Sequence, residues 1–185
     1  MALPSGDFLS GLRVRVETIN RDVRWLAEGL TAEQLLWRPQ PGRWGVADCF
    51  EHLLVIAEAY HSRIRTALEE TPASPSTTYR PRLFGRLFIK GAEPDGPVRI
   101  RARGPFVPPP PRPDAPQRFI SSQVELLGFI QDAAGADLNG IRIRSPLSRF
   151  ITLTLGECLE MLVVHQQRHV NQAERVEAEA GFPSQ

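Results

Sequence analysis

The chain has 185 residues, of which 42% are hydrophobic and 23% are charged. These values are typical of a single globular domain with a substantial core, and they exclude a wholly disordered protein. The 22 basic and 21 acidic side chains give a formal net charge of +1, which argues against a protein that binds nucleic acid through its phosphates. The two cysteines, Cys49 and Cys158, cannot form a disulfide framework, so we expect both to be reduced and buried in a cytoplasmic protein.

No segment of the sequence predicts insertion into a membrane. The N-terminal residues lack the basic and apolar regions of a signal peptide. The longest uncharged apolar run covers only residues 53–57, whereas a span needs roughly 20 residues. We therefore expect no membrane partner.

The first predicted helix covers about residues 7–30, because apolar side chains recur there at steps of three, four or seven. Thr31 then begins a short capped turn. The second predicted helix covers about residues 46–70 and is followed by Pro72 and Pro75.

A long connection, residues 71–115, follows the second helix and holds 11 of the 17 prolines and eight of the 22 basic residues. A connection of this length is usually a binding loop, a lid or a linker, and we interpret it as the crossover of a four-helix bundle. Within the crossover, an apolar cluster at residues 83–89 predicts a short docked helix. The alternation at 98–103 predicts a short strand, and the prolines at 108–111 predict polyproline II.

The third predicted helix covers about residues 116–134, and the fourth covers about residues 155–180. Thr154 and Glu157 form a capping-box pattern at the start of the fourth helix. Together the four helices predict a single all-α domain over residues 1–185, with a four-helix-bundle fold.

Two histidines in the fourth helix have the spacing of a metal site. His165 and His169 are four residues apart, so their rings lie on one face, one turn above the other. The same face carries Cys158 and Leu162, which predicts that it points into the bundle. Imidazoles at this spacing can reach one divalent ion, although two buried histidines can also simply hydrogen-bond to each other or to the backbone.

A catalytic zinc site typically has three protein ligands, so a third histidine is the next requirement. The second helix offers His52 and His61, which are nine residues apart and lie on opposite faces. Both have apolar neighbours, and periodicity alone does not choose between them.

Two blocks of the sequence resemble the DinB/YfiT-like superfamily. Residues 44–53, WGVADCFEHL, are similar to the start of the family's second helix, where a Trp precedes a metal-ligating His by about eight residues. Residues 165–175, HQQRHVNQAER, are similar to the family's last-helix form, H-x-x-[RH]-H-x-x-Q-[IVL]-x-R. The order of the predicted helices resembles the family over essentially the whole chain.

The resemblance implies an up-down-down-up bundle in which His52, His165 and His169 hold a divalent metal ion, with Ni or Zn favoured over Fe or Mn. It also implies a metal-dependent S-transferase or hydrolase that activates a thiol or water, with a small thiol as co-substrate, and pairing as a homodimer. The alternative is a non-catalytic, stress-related metal-binding or interaction protein. The chain departs from the family at Gly45, where a Ser or Thr cap is usual, and in the length of the crossover.

The two functions predict different metal coordination. An enzyme keeps one coordination position open, whereas a structural site is closed by a fourth protein ligand, for which Cys49, Cys158 and Glu160 are the candidates. Asp48 either accepts a hydrogen bond from a ligand imidazole or caps the helix, and we favour the cap. The sequence identifies no catalytic acid or base.

Overall fold

The computed structural model describes residues 2–94, 96 and 102–184 of the chain. These residues are mostly helical, with only short strands. The helices are α1 (Ser5–Glu28), α2 (Ala32–Leu36), α3 (Val46–Glu70), α4 (Leu83–Ala92), α5 (Ala115–Asp132) and α6 (Leu155–Glu177). The strands are β1 (Leu3–Pro4), β2 (Thr78–Tyr79), β3 (Arg142–Arg144) and β4 (Thr152–Thr154).

The four long helices pack as a ring around one apolar core. Helices α1 and α3 each pack against both α5 and α6, and the short helix α4 lies against α6. Each long helix contributes side chains that are fully buried, among them Ile19, Phe50, Leu126 and Leu159. This packing places α3 beside α6, the two helices that carry the histidines. The up-down-down-up order of helix directions stays a prediction.

The predicted helices agree with the structure, and α3 has the predicted bounds. The other three long helices differ at their ends by at most three residues. Thr31 caps α2 and Thr154 caps α6, each through a complete capping box. The apolar cluster in the crossover forms α4, as predicted. Of the strand predicted at 98–103, residues 98–101 lie outside the described residues, and the remaining two form no strand.

A β-hairpin that was not predicted from the sequence leads into α6. Strands β3 and β4 pair antiparallel, with Ile143 opposite Leu153. Both of these side chains are buried, whereas Arg142 and Arg144 point outward. The strands are only three residues long, which is why their alternation is easily overlooked.

Glu157 joins the crossover to the start of α6. Its carboxylate accepts the amide of Thr154 and is fully buried. It also accepts hydrogen bonds from the backbone amide and the guanidinium of Arg82. Burial alone would raise the pKa of Glu157, but the Arg82 guanidinium and the two amides outweigh burial and lower it. The ionised Glu157 carboxylate therefore holds the start of α4 against the start of α6.

None of the described helices combines the length and the apolar composition needed to cross a bilayer.

Gly85 is the position of closest contact between α4 and this carboxylate. A Cβ atom at Gly85 would lie 2.2 Å from the carboxyl carbon of Glu157, which its hydrogen bonds hold in place. We expect Gly85→Ala to lower the free energy of unfolding by about 1–3 kcal/mol, as overpacking typically does. Urea denaturation measures this change.

Gly91 in the same helix is the matched control, because a Cβ there meets nothing within 4 Å. We expect Gly91→Ala to leave stability unchanged or to raise it by up to about 1 kcal/mol. Equal losses in both variants would contradict the proposed contact at Gly85.

The lowered pKa of Glu157 also predicts how stability depends on pH. Because the folded-state pKa lies below the ordinary value of 4.5, the carboxylate contributes stability above that pH and loses it as the pH falls. We expect Glu157→Gln to be less stable than the wild type at pH 7, and the difference to narrow below about pH 4.5. Denaturation with a chelator present, from pH 3 to 8, tests this, and a difference independent of pH would refute it.

Candidate metal centre

Three histidines meet where α3 packs against α6. His52, His165 and His169 each contribute one ring nitrogen, and these three nitrogens lie within 4.8 Å of one another. His52 comes from α3, while His165 and His169 come from successive turns of α6. His52 and His169 are buried, with exposed fractions of 5% and 7%, and His165 is partly exposed.

Hydrogen bonds at Nδ1 orient two of the three rings. Nδ1 of His52 lies 2.9 Å from the backbone carbonyl of Phe106, and Nδ1 of His169 lies 3.1 Å from Oε1 of Gln172. A carbonyl oxygen can only accept, so Nδ1 carries the hydrogen in both rings. In a neutral ring the Nε2 lone pair is then free, which is the arrangement usual for metal-ligating histidines.

The spacing of the Nε2 atoms fits a shared ion. Nε2 of His165 and Nε2 of His169 are 3.2 Å apart. Two nitrogens bound tetrahedrally to one zinc ion at about 2.1 Å would be separated by about 3.4 Å.

A direct hydrogen bond between these two Nε2 atoms is the alternative arrangement. It would place the hydrogen of His165 on Nε2 and leave its Nδ1 as an acceptor. That Nδ1 is buried and has no partner among the described residues in either tautomer, so it does not distinguish the two arrangements, and the fit to an ion rests on the spacing and on the free Nε2 lone pairs. If the hydrogen of His165 lies on Nδ1 instead, the Nε2 lone pairs of His165 and His169 face each other. A cation between the two rings would stabilise this arrangement. The donor set therefore fits a divalent metal ion.

The surroundings keep all three imidazoles neutral. Burial lowers the pKa of His52, although the Phe106 carbonyl partly opposes it. Burial and then the neighbouring His52 and Arg168 lower the pKa of His165 to about 3. Burial and the adjacent histidines hold the pKa of His169 well below its ordinary value. Neutral imidazole is the form that binds metal.

Trp44 forms one wall of the cluster. Its ring centroid lies 4.9 Å from that of His52 and 5.7 Å from that of His169. The residue comes just before α3, whose first turn is capped by Asp48 accepting the amide of Gly45. Trp44 therefore covers two of the histidines with apolar surface. From the sequence, Trp44 was part of the motif at residues 44–53 but was not predicted to line the site.

No carboxylate joins the histidines in the described part of the chain. Three buried carboxylates lie elsewhere, each paired with an arginine: Asp48 with Arg38, Glu51 with Arg118, and Glu157 with Arg82. Asp48 thus acts as a helix cap, the interpretation favoured from the sequence. Glu160 accepts a hydrogen bond from the hydroxyl of Tyr79.

The two cysteines are also outside the cluster. Cys49 and Cys158 are fully buried, and burial raises the pKa of both thiols. Protonated, buried thiols are poor metal ligands and poor nucleophiles. Among the described residues, none of the three candidates for a fourth ligand therefore takes that position.

His61 lies on the other side of α3, against α5. Its Nδ1 is 2.8 Å from Glu125, and its ring packs edge-on against Phe129. Burial and the nearby Arg65 lower its pKa to about 4. The structure therefore brings His52, and not His61, to His165 and His169. Periodicity could not make this distinction because α3 is buried on both of these faces.

Phe106 is the part of the site that the sequence did not indicate. It lies in a short 3-10 helix (Gly104–Phe106) within the crossover and is 5% exposed. Its contribution to His52 is a backbone carbonyl, which any residue type provides, so no sequence signal marks it.

Comparison with known families gives a match over most of the chain. Residues 15–173 match the family model described as the DinB superfamily, which includes α3, the crossover and most of α6. Neither the curated proteins nor the solved structures contain a significant match.

The geometry predicts which histidines are needed for metal binding. We expect His52→Ala, His165→Ala and His169→Ala each to abolish stoichiometric metal in protein purified without chelator, because two imidazoles bind far more weakly than three. His61→Ala is the matched control, since His61 is equally buried but outside the cluster. Elemental analysis measures metal per chain, and loss of metal in His61→Ala instead of His52→Ala would refute this assignment.

Proposed function

Because the chain belongs to the DinB superfamily and brings three neutral histidines together, we propose that it is a metal-dependent enzyme that activates a small thiol or water. The proposed ligands are His52, His165 and His169, and the proposed reaction class is thiol S-transfer or hydrolysis. Imidazole ligands suit Zn, Ni, Fe and Cu, whereas Mg and Ca prefer oxygen. Among the suited ions we propose Ni or Zn, because the family resemblance favours these two.

One observation carries the catalytic part of this proposal: no fourth protein ligand joins the three histidines in the described chain. Structural zinc sites are closed by four protein ligands, whereas catalytic sites have three and keep a position for water or substrate. Cys49 and Cys158 are buried apart from the cluster, and Glu160 is bonded to Tyr79. This arrangement favours the enzyme over the non-catalytic alternative.

The chain's own residues prepare the site for a ligand. The Phe106 carbonyl and the Gln172 side chain fix two rings with Nε2 available, so little reorganisation is needed on binding. Trp44 excludes water from one side of the histidines. A divalent ion held there would supply Lewis acidity and would lower the pKa of a bound thiol or water.

Among the described residues, the pairing of the buried carboxylates favours a thiol over a peptide substrate. A zinc peptidase of the H-E-x-x-H type has a glutamate beside its histidines as general base. Here the buried carboxylates Asp48, Glu51 and Glu157 are each engaged by an arginine. A bound thiol loses its proton readily and needs no such base.

The proposal is tested by thiol binding to Co²⁺-loaded protein. We expect glutathione or 2-mercaptoethanol to produce sulfur-to-cobalt charge-transfer absorption, because a thiol sulfur would enter the open position. The protein's own thiols are both fully buried and do not interfere.

Two controls make this experiment decisive. Serine, which lacks sulfur, should leave the spectrum of the cobalt protein unchanged. His169→Ala should show no charge-transfer band with either thiol, since it has lost a ligand. A cobalt-loaded wild type with no response at saturating thiol would contradict thiol activation, and of the two proposed reaction classes it would leave only hydrolysis by a metal-activated water.

A further inference from the structure

Within its described residues, the crossover reaches the histidine cluster at Phe106. The carbonyl of Phe106 accepts the Nδ1 hydrogen of His52 at 2.9 Å. The two residues are 54 positions apart in the chain, so this hydrogen bond links α3 to a distant segment of the chain. The short 3-10 helix that contains Phe106 packs against α3.

Two features hold the carbonyl in place. The Phe106 side chain belongs to the buried apolar core and is 5% exposed, so it anchors the segment. Gly104, two residues earlier, has φ +57, a conformation that L side chains rarely adopt. The turn at Gly104 therefore directs the chain so that the Phe106 side chain is buried and the Phe106 backbone carbonyl faces His52.

From this geometry we propose that Phe106 is a positioning residue of the metal site, and that metal binding and docking of the crossover stabilise each other. The inference rests on the proposed metal function. The Phe106 carbonyl selects the His52 tautomer whose Nε2 lone pair is free, and it holds the ring towards His165 and His169. An ion bound to Nε2 polarises the ring and strengthens the Nδ1–H hydrogen bond to the carbonyl.

Thermodynamic reciprocity makes this coupling measurable from both ends. If a docked crossover raises metal affinity, then metal must favour the docked crossover by the same factor. Loss of a group that orients a ligand imidazole typically weakens metal binding about ten- to a hundred-fold.

Zinc affinity is the first measurement, by competition with a chromophoric chelator. We expect Phe106→Ala to weaken zinc binding by about tenfold or more, and Phe106→Leu to restore most of it by reseating the segment. Gly104→Ala keeps the Phe106 side chain, and the added Cβ has no atom within 4 Å. The substitution therefore disturbs only the backbone conformation of the turn. We expect Gly104→Ala to weaken zinc binding by a smaller factor than Phe106→Ala does. If Phe106→Ala fails to fold, Gly104→Ala provides the test instead.

Two control variants separate positioning from general destabilisation. Val107→Ala changes the exposed neighbour of Phe106, and Ile143→Ala removes a buried side chain from the hairpin. We expect both to bind zinc as the wild type does.

Trypsin cleavage is the second measurement. Arg103 is exposed and directly precedes Gly104, so cleavage after it reports undocking of the segment. We expect zinc to slow this cleavage in the wild type and to have no effect in His165→Ala, which lacks a ligand.

The outcomes distinguish the two proposals. A wild type that binds zinc, with unchanged affinity in Phe106→Ala and Gly104→Ala, overturns the coupling and leaves the metal function intact. Zinc that binds without slowing cleavage after Arg103 also overturns the coupling. A wild type that binds no zinc overturns both proposals.

Discussion

The packing of α3 against α6 is the constraint on which the candidate site depends. It brings one histidine from α3 to two histidines on successive turns of α6, with two of their nitrogens 3.2 Å apart. Three imidazoles at this spacing bring their ring nitrogens close together, and the apolar environment makes their protonation costly. A metal ion would stabilise this arrangement of the three histidines, and the surrounding apolar core holds their helices rigidly in place.

The buried charges of the protein are kept away from this cluster. Three buried carboxylates each have an arginine partner, and the described residues show none of them among the histidines. Two of the pairs, Glu51 with Arg118 and Glu157 with Arg82, also join segments distant in sequence, and the second links α6 to the crossover. Pairing therefore serves the fold, and among the described residues the charged side chain that acts on the His165 and His169 rings is Arg168. Such a site is suited to chemistry in which the ion, and not a side chain, supplies the acidity.

The sequence predicted the helices and half of the site from periodicity alone. His165 and His169 were placed together because an i, i+4 pair on a buried face can have only one relative arrangement. His52 required the family resemblance, because α3 is buried on opposite faces and both of its histidines satisfy the pattern. The Phe106 carbonyl was beyond prediction, since a backbone acceptor leaves no mark on the sequence. The β3–β4 hairpin was missed because strands of three residues give too little alternation to read.

Trp44 gives the protein an internal optical reporter. Its indole lies within 6 Å of two ring centroids of the cluster, whereas Trp25 is 81% exposed and Trp37 packs against Phe182. A paramagnetic ion such as Ni²⁺ or Co²⁺ quenches the emission of an indole at this distance far more than that of a remote one. The exposed Trp25 and the partly buried Trp44 also emit at different wavelengths, so a single spectrum contains both a signal from the site and its internal reference. The occupancy of the cluster can therefore be followed by fluorescence in the unlabelled, unmodified chain.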